Sequence, residues 1–144
     1  MDPLPTAPPV VAVVVTADPG PWLEETLASL AAQDYPALSV LVIDAASRTD
    51  PTPRVASVLP GAYVRRLAAN EGYAPSANVV LGMVEGAAFY LFCHDDVALA
   101  PDAVRLLVEE ALRSNAGIAG PKLVDWEDPT RLLQVGLSAD FAGI

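Results

Sequence analysis

The 144-residue chain is 53% hydrophobic, enough for one buried core and one domain. Its 18 acidic against 8 basic residues give a net charge of −10, which argues against nucleic acid as a partner and requires any anionic small ligand to come with a divalent cation, a helix N-terminus or backbone amides. A single cysteine excludes an internal disulfide and a cysteine-based zinc site, and despite a mean hydropathy of +0.38 no uninterrupted apolar stretch approaches the ~20 residues of a membrane span.

Residues 1–9, with an acid and four prolines, lack the basic and apolar regions of a secretion signal and read as an extended leader. Val10-Val11-Ala12-Val13-Val14-Val15-Thr16 is apolar and mostly β-branched, suited to a central strand. Asp18-Pro19-Gly20-Pro21 breaks it, and Pro21 suits the first turn of a helix in which Trp22, Leu23, Thr26, Leu27, Leu30 and Ala31 recur at helical spacing. Asp34-Tyr35-Pro36 ends that helix, and Leu38–Ile43 is a second strand that closes a parallel βαβ unit, with Asp44 at its C-terminal end.

A polar stretch from Ala45 to Pro60 holds one short helical turn around Arg54–Leu59, and Tyr63–Leu67 is a short third strand. Asn70-Glu71-Gly72-Tyr73 is a turn in which Gly72 is free to take positive φ. A helix is predicted from Pro75 or Ser76 to Glu85, with Ala77, Val80, Leu81 and Val84 as its apolar stripe and Gly86 as its stop. Phe89-Tyr90-Leu91-Phe92-Cys93 then reads as a buried strand that runs into His94-Asp95-Asp96.

Pro101-Asp102 opens a helix whose Val104, Leu107, Val108, Ala111 and Leu112 share one face. Ile118–Val124 is a marginal fifth strand bent by Gly120-Pro121, and Leu132–Ala139 begins another beyond the acidic turn Asp125-Trp126-Glu127-Asp128. No repeat or internal linker divides residues 10–144, and no closing helix follows, so they are expected to be one domain, incomplete at its C-terminal side.

In a parallel sheet Thr16 with Asp18, Asp44, and His94-Asp95-Asp96 fall on one rim, the edge where open α/β sheets bind ligands. Carboxylates there suit a nucleotide diphosphate: one for a base or ribose, another for a hard cation that neutralises the diphosphate. Structural alternatives stay open for each: a helix N-cap for Asp96, a turn cap for Asp44, and turn and cap roles for Asn70 and Asn78. The turn Thr16–Pro21 carries neither a G-x-G-x-x-G fingerprint nor a phosphate-binding G-x-x-x-x-G-K-[ST] loop. Dinucleotide oxidoreductases and P-loop enzymes are thereby disfavoured.

Four segments in order resemble family 2 glycosyltransferases: the first-strand Val-Val-Val-Thr with the helix Leu27–Pro36 that follows it, Val40–Ser47, Asn70–Asn78 as an N-x-G-x-x-x-x-x-N segment, and His94-Asp95-Asp96 in the place of the D-x-D motif. The resemblance spans Val10 to Gly136. It implies a three-layer α/β/α, Rossmann-like GT-A fold with a mostly parallel sheet, and an enzyme that transfers sugar from a nucleotide-diphosphate donor, with inversion, to a carbohydrate or lipid-linked acceptor in cell-wall or polysaccharide assembly. It further implies a Mg or Mn ion and a cytoplasmic location, including the inner face of the membrane for the whole protein.

Carried over by position, Asp96 becomes the metal ligand, Asp44 a base or ribose contact and Thr16 part of the base pocket. Asn70, Gly72 and Asn78 shape the donor pocket, and Asp95 touches the ribose or sugar. Two departures stand out: His94 replaces the first acid of D-x-D, and Ala17-Asp18 follow the first strand where the family often has an aromatic residue and Asn.

No motif singles out a catalytic base among Asp125, Glu127, Asp128 and Asp140, so the residues to Ile144 are expected to bind donor without turning it over. Rival readings are a non-catalytic nucleotide-sugar or protein-interaction module of the same fold and a receiver-like signalling domain, the latter needing a lysine on a late strand, for which Lys122 is the one candidate.

Overall fold

The computed structural model describes residues 6–136. The first part of the leader, residues 1–5, and residues 137–139 of the last predicted strand lie outside the described residues, as does Asp140. The chain forms two compact units that divide after Asp102.

In the first unit, β1 (Val10–Thr16), β2 (Leu38–Asp44), β3 (Tyr63–Arg66) and β4 (Phe89–Cys93) make one parallel sheet in the order β3-β2-β1-β4. The chain steps outward from β1 through β2 to β3, then crosses back to the other side of β1. That reversal puts a topological switch point, and hence a crevice at the carboxyl ends, between β1 and β4.

Alternation along β1 sends its side chains into two cores, because neighbouring residues of a strand face opposite ways. Ala12 and Val14, with Val42 and Cys93, meet Leu23, Leu27 and Leu30 of α1 (Leu23–Ala31) and Val55 of α2 (Thr52–Val58). Val13 and Val15, with Leu41 and Ile43, meet Ala77 of α3 (Tyr73–Asn78) and Val80. A sheet covered on both faces is the three-layer arrangement, and each fully buried Val or Leu contributes about 1.5–3 kcal/mol to it. The leader's last residues are tied to this unit: Tyr35 donates to the carbonyl of Pro8 at 2.6 Å, and the Ala88 amide to that of Pro9 at 2.8 Å.

Several expectations are corrected. The helix predicted to reach Glu85 stops at Asn78 and tightens into a 3₁₀ turn, Val79–Gly82, where two β-branched valines and a glycine weaken the α-helix. Gly86, at φ 79°, thus lies past the helix and does not end it. Leu81 of the predicted stripe is 64% exposed. β4 is not a buried strand either: it pairs only with β1 among the described residues, and Phe92 is 48% exposed while Cys93 is buried.

In the second unit, α4 (Ala103–Ser114) buries Val104, Val108 and Ala111, whereas Leu112 of the expected face is exposed. The two late strands, β5 (Lys122–Val124) and β6 (Leu132–Val135), pair with each other as a separate antiparallel sheet. β5 starts only after Gly120-Pro121, since proline has no N–H to give to a ladder. No helix among the described residues is long and apolar enough to cross a membrane.

Candidate functional site

Thr16 closes β1, is buried, and lies in register with Asp44, the last residue of β2. Its hydroxyl donates to Oδ2 of Asp95 across the switch point. Just beyond, the amide of Val97 donates to the hydroxyl of Thr26 on α1 at 3.2 Å. Asp95 is half-buried and Asp96 exposed. Among the described residues no side chain pairs with Asp96, and it caps no helix.

Asp44 is fully buried. Its Oδ1 accepts the Ser47 amide at 3.1 Å and the Ser47 hydroxyl; its Oδ2 accepts Nε of Arg66 at 2.7 Å. The turn-capping alternative is therefore realised, and the carboxylate as it stands is closed to solvent. Arg66 also donates to the Ser47 carbonyl at 2.8 Å and stands 3.7 Å from Asp50. The hydrogen bond to Asp44 holds its guanidinium pKa above the ordinary value. It remains 41% exposed, so the buried acid presents a cation at the rim.

Ser47 continues the network, accepting the amide of Asp18 at 2.7 Å. Asp18, at φ 49°, in turn accepts the Arg48 amide at 2.9 Å and its Nε at 3.0 Å. The backbone bond from Arg48 holds the Asp18 carboxyl below its ordinary range. Arg54 pins the same loop through the carbonyls of Pro19 and Gly20, at 2.9 and 2.7 Å. The loops leaving β1 and β2 are thus locked together beside a polar cleft of about 350 Å³ lined by Asp18, Arg48, Asp50 and Arg54. A wider cavity of about 480 Å³ lies at the amino ends of the strands, against Val10, Val11 and Leu41, and carries none of this chemistry.

Asn70 accepts the Gly72 amide at 3.0 Å, which is a turn role. Gly72 has φ 98° and ψ 177°, a conformation essentially restricted to glycine. Asn78, exposed, precedes the 3₁₀ turn without a side-chain cap bond. Tyr73 stacks on His94 with ring centroids 4.4 Å apart.

Neither Ser47 nor Arg66 belongs to the residues expected from sequence. The available signal was the Arg65-Arg66 pair ending the third strand beside the acid that ends the second.

The residue that could hold a hard cation is Asp96. No group of three metal-ligating side chains exists among the described residues, yet Asp96 offers an exposed, unpaired carboxylate, and Mg-type sites use one or two carboxylates, several waters and substrate phosphates. In the second unit Asp125 accepts the amides of Glu127 and Asp128, and Asp128 accepts the amide and the hydroxyl of Thr130; these acids shape the β5–β6 turn. Lys122 lies on that antiparallel pair and not on the parallel sheet, which removes the one residue the receiver-like reading relied on.

The family description "Glycosyl transferase family 2" matches residues 11–138. A similar protein, the N-acetylglucosaminyl-diphospho-decaprenol L-rhamnosyltransferase of Mycobacterium tuberculosis, is 36% identical over 129 residues, covering 81% of this chain and 41% of that protein. This chain therefore spans about two fifths of its relative's length. Among solved structures, S. aureus TarS 1-349 superposes with a TM-score of 0.64 at 26% identity over 74% of this chain and 33% of TarS. The mannosyltransferase PcManGT of Pyrobaculum calidifontis, in complex with GDP-Man and Mn2+, superposes at 0.63 and 29% over 76% of this chain and 36% of its own. A parallel sheet with its switch point at Thr16 and Asp95, four ordered sequence segments and these matches agree on the GT-A fold, and the chain belongs to glycosyltransferase family 2.

Proposed function

We propose that the first unit binds a nucleotide-diphosphate sugar at the rim formed by Thr16, Asp44, Asn70, Gly72, Asn78, Asp95 and Asp96, and that the whole protein transfers the sugar, with inversion, to a carbohydrate or lipid-linked acceptor. The observation that carries this reading is the exposed Asp96, unpaired among the described residues, beside an Asp95 that Thr16 holds in place. In a chain of net charge −10, such a carboxylate is best satisfied by a cation that arrives with an anionic ligand.

Asp96 would hold Mg2+ or Mn2+, which supplies charge neutralisation at the diphosphate as the sugar leaves. Arg66, fixed by the buried Asp44, adds a second cation with N–H groups still free to donate. Thr16 orients Asp95 for a ribose or sugar hydroxyl. The Gly72 turn, having no side chain, lets the donor approach the backbone.

The mannosyltransferase neighbour, solved with GDP-Man and Mn2+, supports the cation. The mycobacterial relative is named for transfer onto a diphospho-decaprenol-linked acceptor, which supports a lipid-linked acceptor. Transfer also needs a base for the acceptor hydroxyl, a role none of the rim residues takes in this reading.

Calorimetric titration of UDP-, dTDP- and GDP-sugars with and without Mn2+ tests the proposal. Saturable, Mn2+-dependent heat with one nucleotide class is expected. No heat with any of them contradicts it.

A further inference from the structure

His94 stands where the family's first motif acid would be, yet it is engaged with a ring and not with a charge. Its imidazole stacks on Tyr73, centroids 4.4 Å apart and planes at 29°. The Tyr73 hydroxyl also donates to the carbonyl of Cys93, the last residue of β4, at 3.2 Å. Tyr73 therefore holds both residues that lead into Asp95-Asp96.

Tyr73 is itself well anchored. Its ring packs against the core cluster that contains Ile43, Ala77 and Val80, and burial raises its hydroxyl pKa above the ordinary value, so it stays a neutral donor. Behind it, the Ser76 hydroxyl donates to the Gly72 carbonyl at 2.7 Å and the Gly72 amide to Asn70 at 3.0 Å, fixing the turn. The exit of β4 is thus pinned in three places: His94 by Tyr73, Asp95 by Thr16, and Val97 by Thr26. Asp96 alone projects freely. A carboxylate on a loop binds a cation better when the loop is ordered before the ligand arrives, because the entropy cost has already been met.

We propose that Tyr73 and His94 are positioning residues whose stacked rings hold the β4 exit in the conformation that presents Asp96 to the cation of a nucleotide diphosphate. The presentation to a cation rests on the donor-site reading above; the clamp on the β4 exit does not. In this role His94 supplies a flat ring, so another flat ring replaces it, whereas a His94 that bound metal or ribose through nitrogen would not tolerate phenylalanine.

The test uses Tyr73→Leu, Tyr73→Phe, His94→Ala and His94→Phe, with thermal melting to confirm folding. Hydrogen exchange of the ligand-free protein should accelerate across residues 93–97 by about tenfold or more in Tyr73→Leu and His94→Ala, stay near the parent rate in His94→Phe, and fall between in Tyr73→Phe, which keeps the ring but loses the bond to Cys93. Affinity, with Mn2+, for whichever of UDP, dTDP and GDP the parent binds, by calorimetry, should follow the same order, falling about tenfold in the first pair. Should Tyr73→Leu fail to fold, His94→Ala against His94→Phe decides the same question, since His94 is exposed.

Unchanged exchange in the ring-deleted variants overturns the clamp. Binding lost as deeply in His94→Phe as in His94→Ala overturns positioning in favour of direct ligation. A parent protein that gives no heat with Mn2+ and any of UDP, dTDP and GDP overturns the donor-site reading, and with it the assignment of Asp96, while the exchange rates still decide the clamp.

Discussion

The hydroxyl of Thr16 donates to the carboxylate of Asp95, 79 positions further along the chain. The bond spans the place where strand order reverses, so it joins the ends of β1 and β4 where a ligand crevice must open. Thr16→Val keeps the shape and removes the donor, which leaves a half-buried carboxylate short of a partner at a cost of about 1–3 kcal/mol. Mn2+-dependent nucleotide binding should weaken about tenfold in Thr16→Val and recover in Thr16→Ser, as measured by calorimetry. Equal binding in parent and Thr16→Val would show that the bond does not serve the site.

Arg66 neutralises a fully buried Asp44. Removing one partner of a buried pair costs about 3–5 kcal/mol, and because Arg66 is 41% exposed, water can reach the uncovered acid, so Arg66→Leu should cost about 2–3 kcal/mol. Urea melts check this. The double variant Arg66→Leu with Asp44→Asn should regain part of the loss, since the orphaned charge is gone.

Glu24 accepts both Nε and one terminal nitrogen of Arg54, at 2.6 and 2.7 Å, which holds its carboxyl below the ordinary 4.5. A lowered native pKa stabilises the fold above the unfolded value and loses that contribution as pH falls through the native one. The pair is substantially exposed, so screening keeps its worth to about 0.5 kcal/mol. Parent and Glu24→Gln melts should accordingly differ slightly at neutral pH and converge as pH falls below the ordinary 4.5 and through the lowered native pKa.

Burial pushes the Cys93 thiol up to about 12 and leaves it only 6% exposed. Thiolate is the reactive form, so a disulfide exchange reagent at pH 8 should leave the native protein unlabelled and modify one thiol per chain in denaturant. Rapid labelling of native protein would mean that β4 opens readily.

β1 runs from Val10 to Thr16, as its sequence implies, because a β-branched run bounded by a proline-rich leader and Asp18-Pro19 has little choice of structure. α1 buries Leu23, Thr26, Leu27 and Leu30, four residues of the predicted stripe, while Trp22 lies outside the helix at 50% exposure. What local pattern could not give was pairing. β4 has the composition of an inner strand, but its place beside β1 alone among the described residues is set by chain topology, and β5 and β6 pair with each other for the same reason. Around the site, the rim and its acids follow from strand ends, whereas the partners of Asp44 come from sheet register, which brings Arg66 beside it from 22 positions away. His94 was legible as a departure from a motif; its stacking partner was not, because Tyr73 reaches it only once α3 is packed.

The central claim is that Asp96 meets a nucleotide diphosphate through a divalent cation. Calorimetry of Asp96→Ala against the parent, with Mn2+ and the nucleotide sugar that the parent binds, tests it most directly. Loss of the Mn2+-dependent heat with an unchanged melting temperature is the expected result, since the exposed Asp96 pairs with no side chain among the described residues. Undiminished Mn2+-dependent binding in Asp96→Ala would contradict the account.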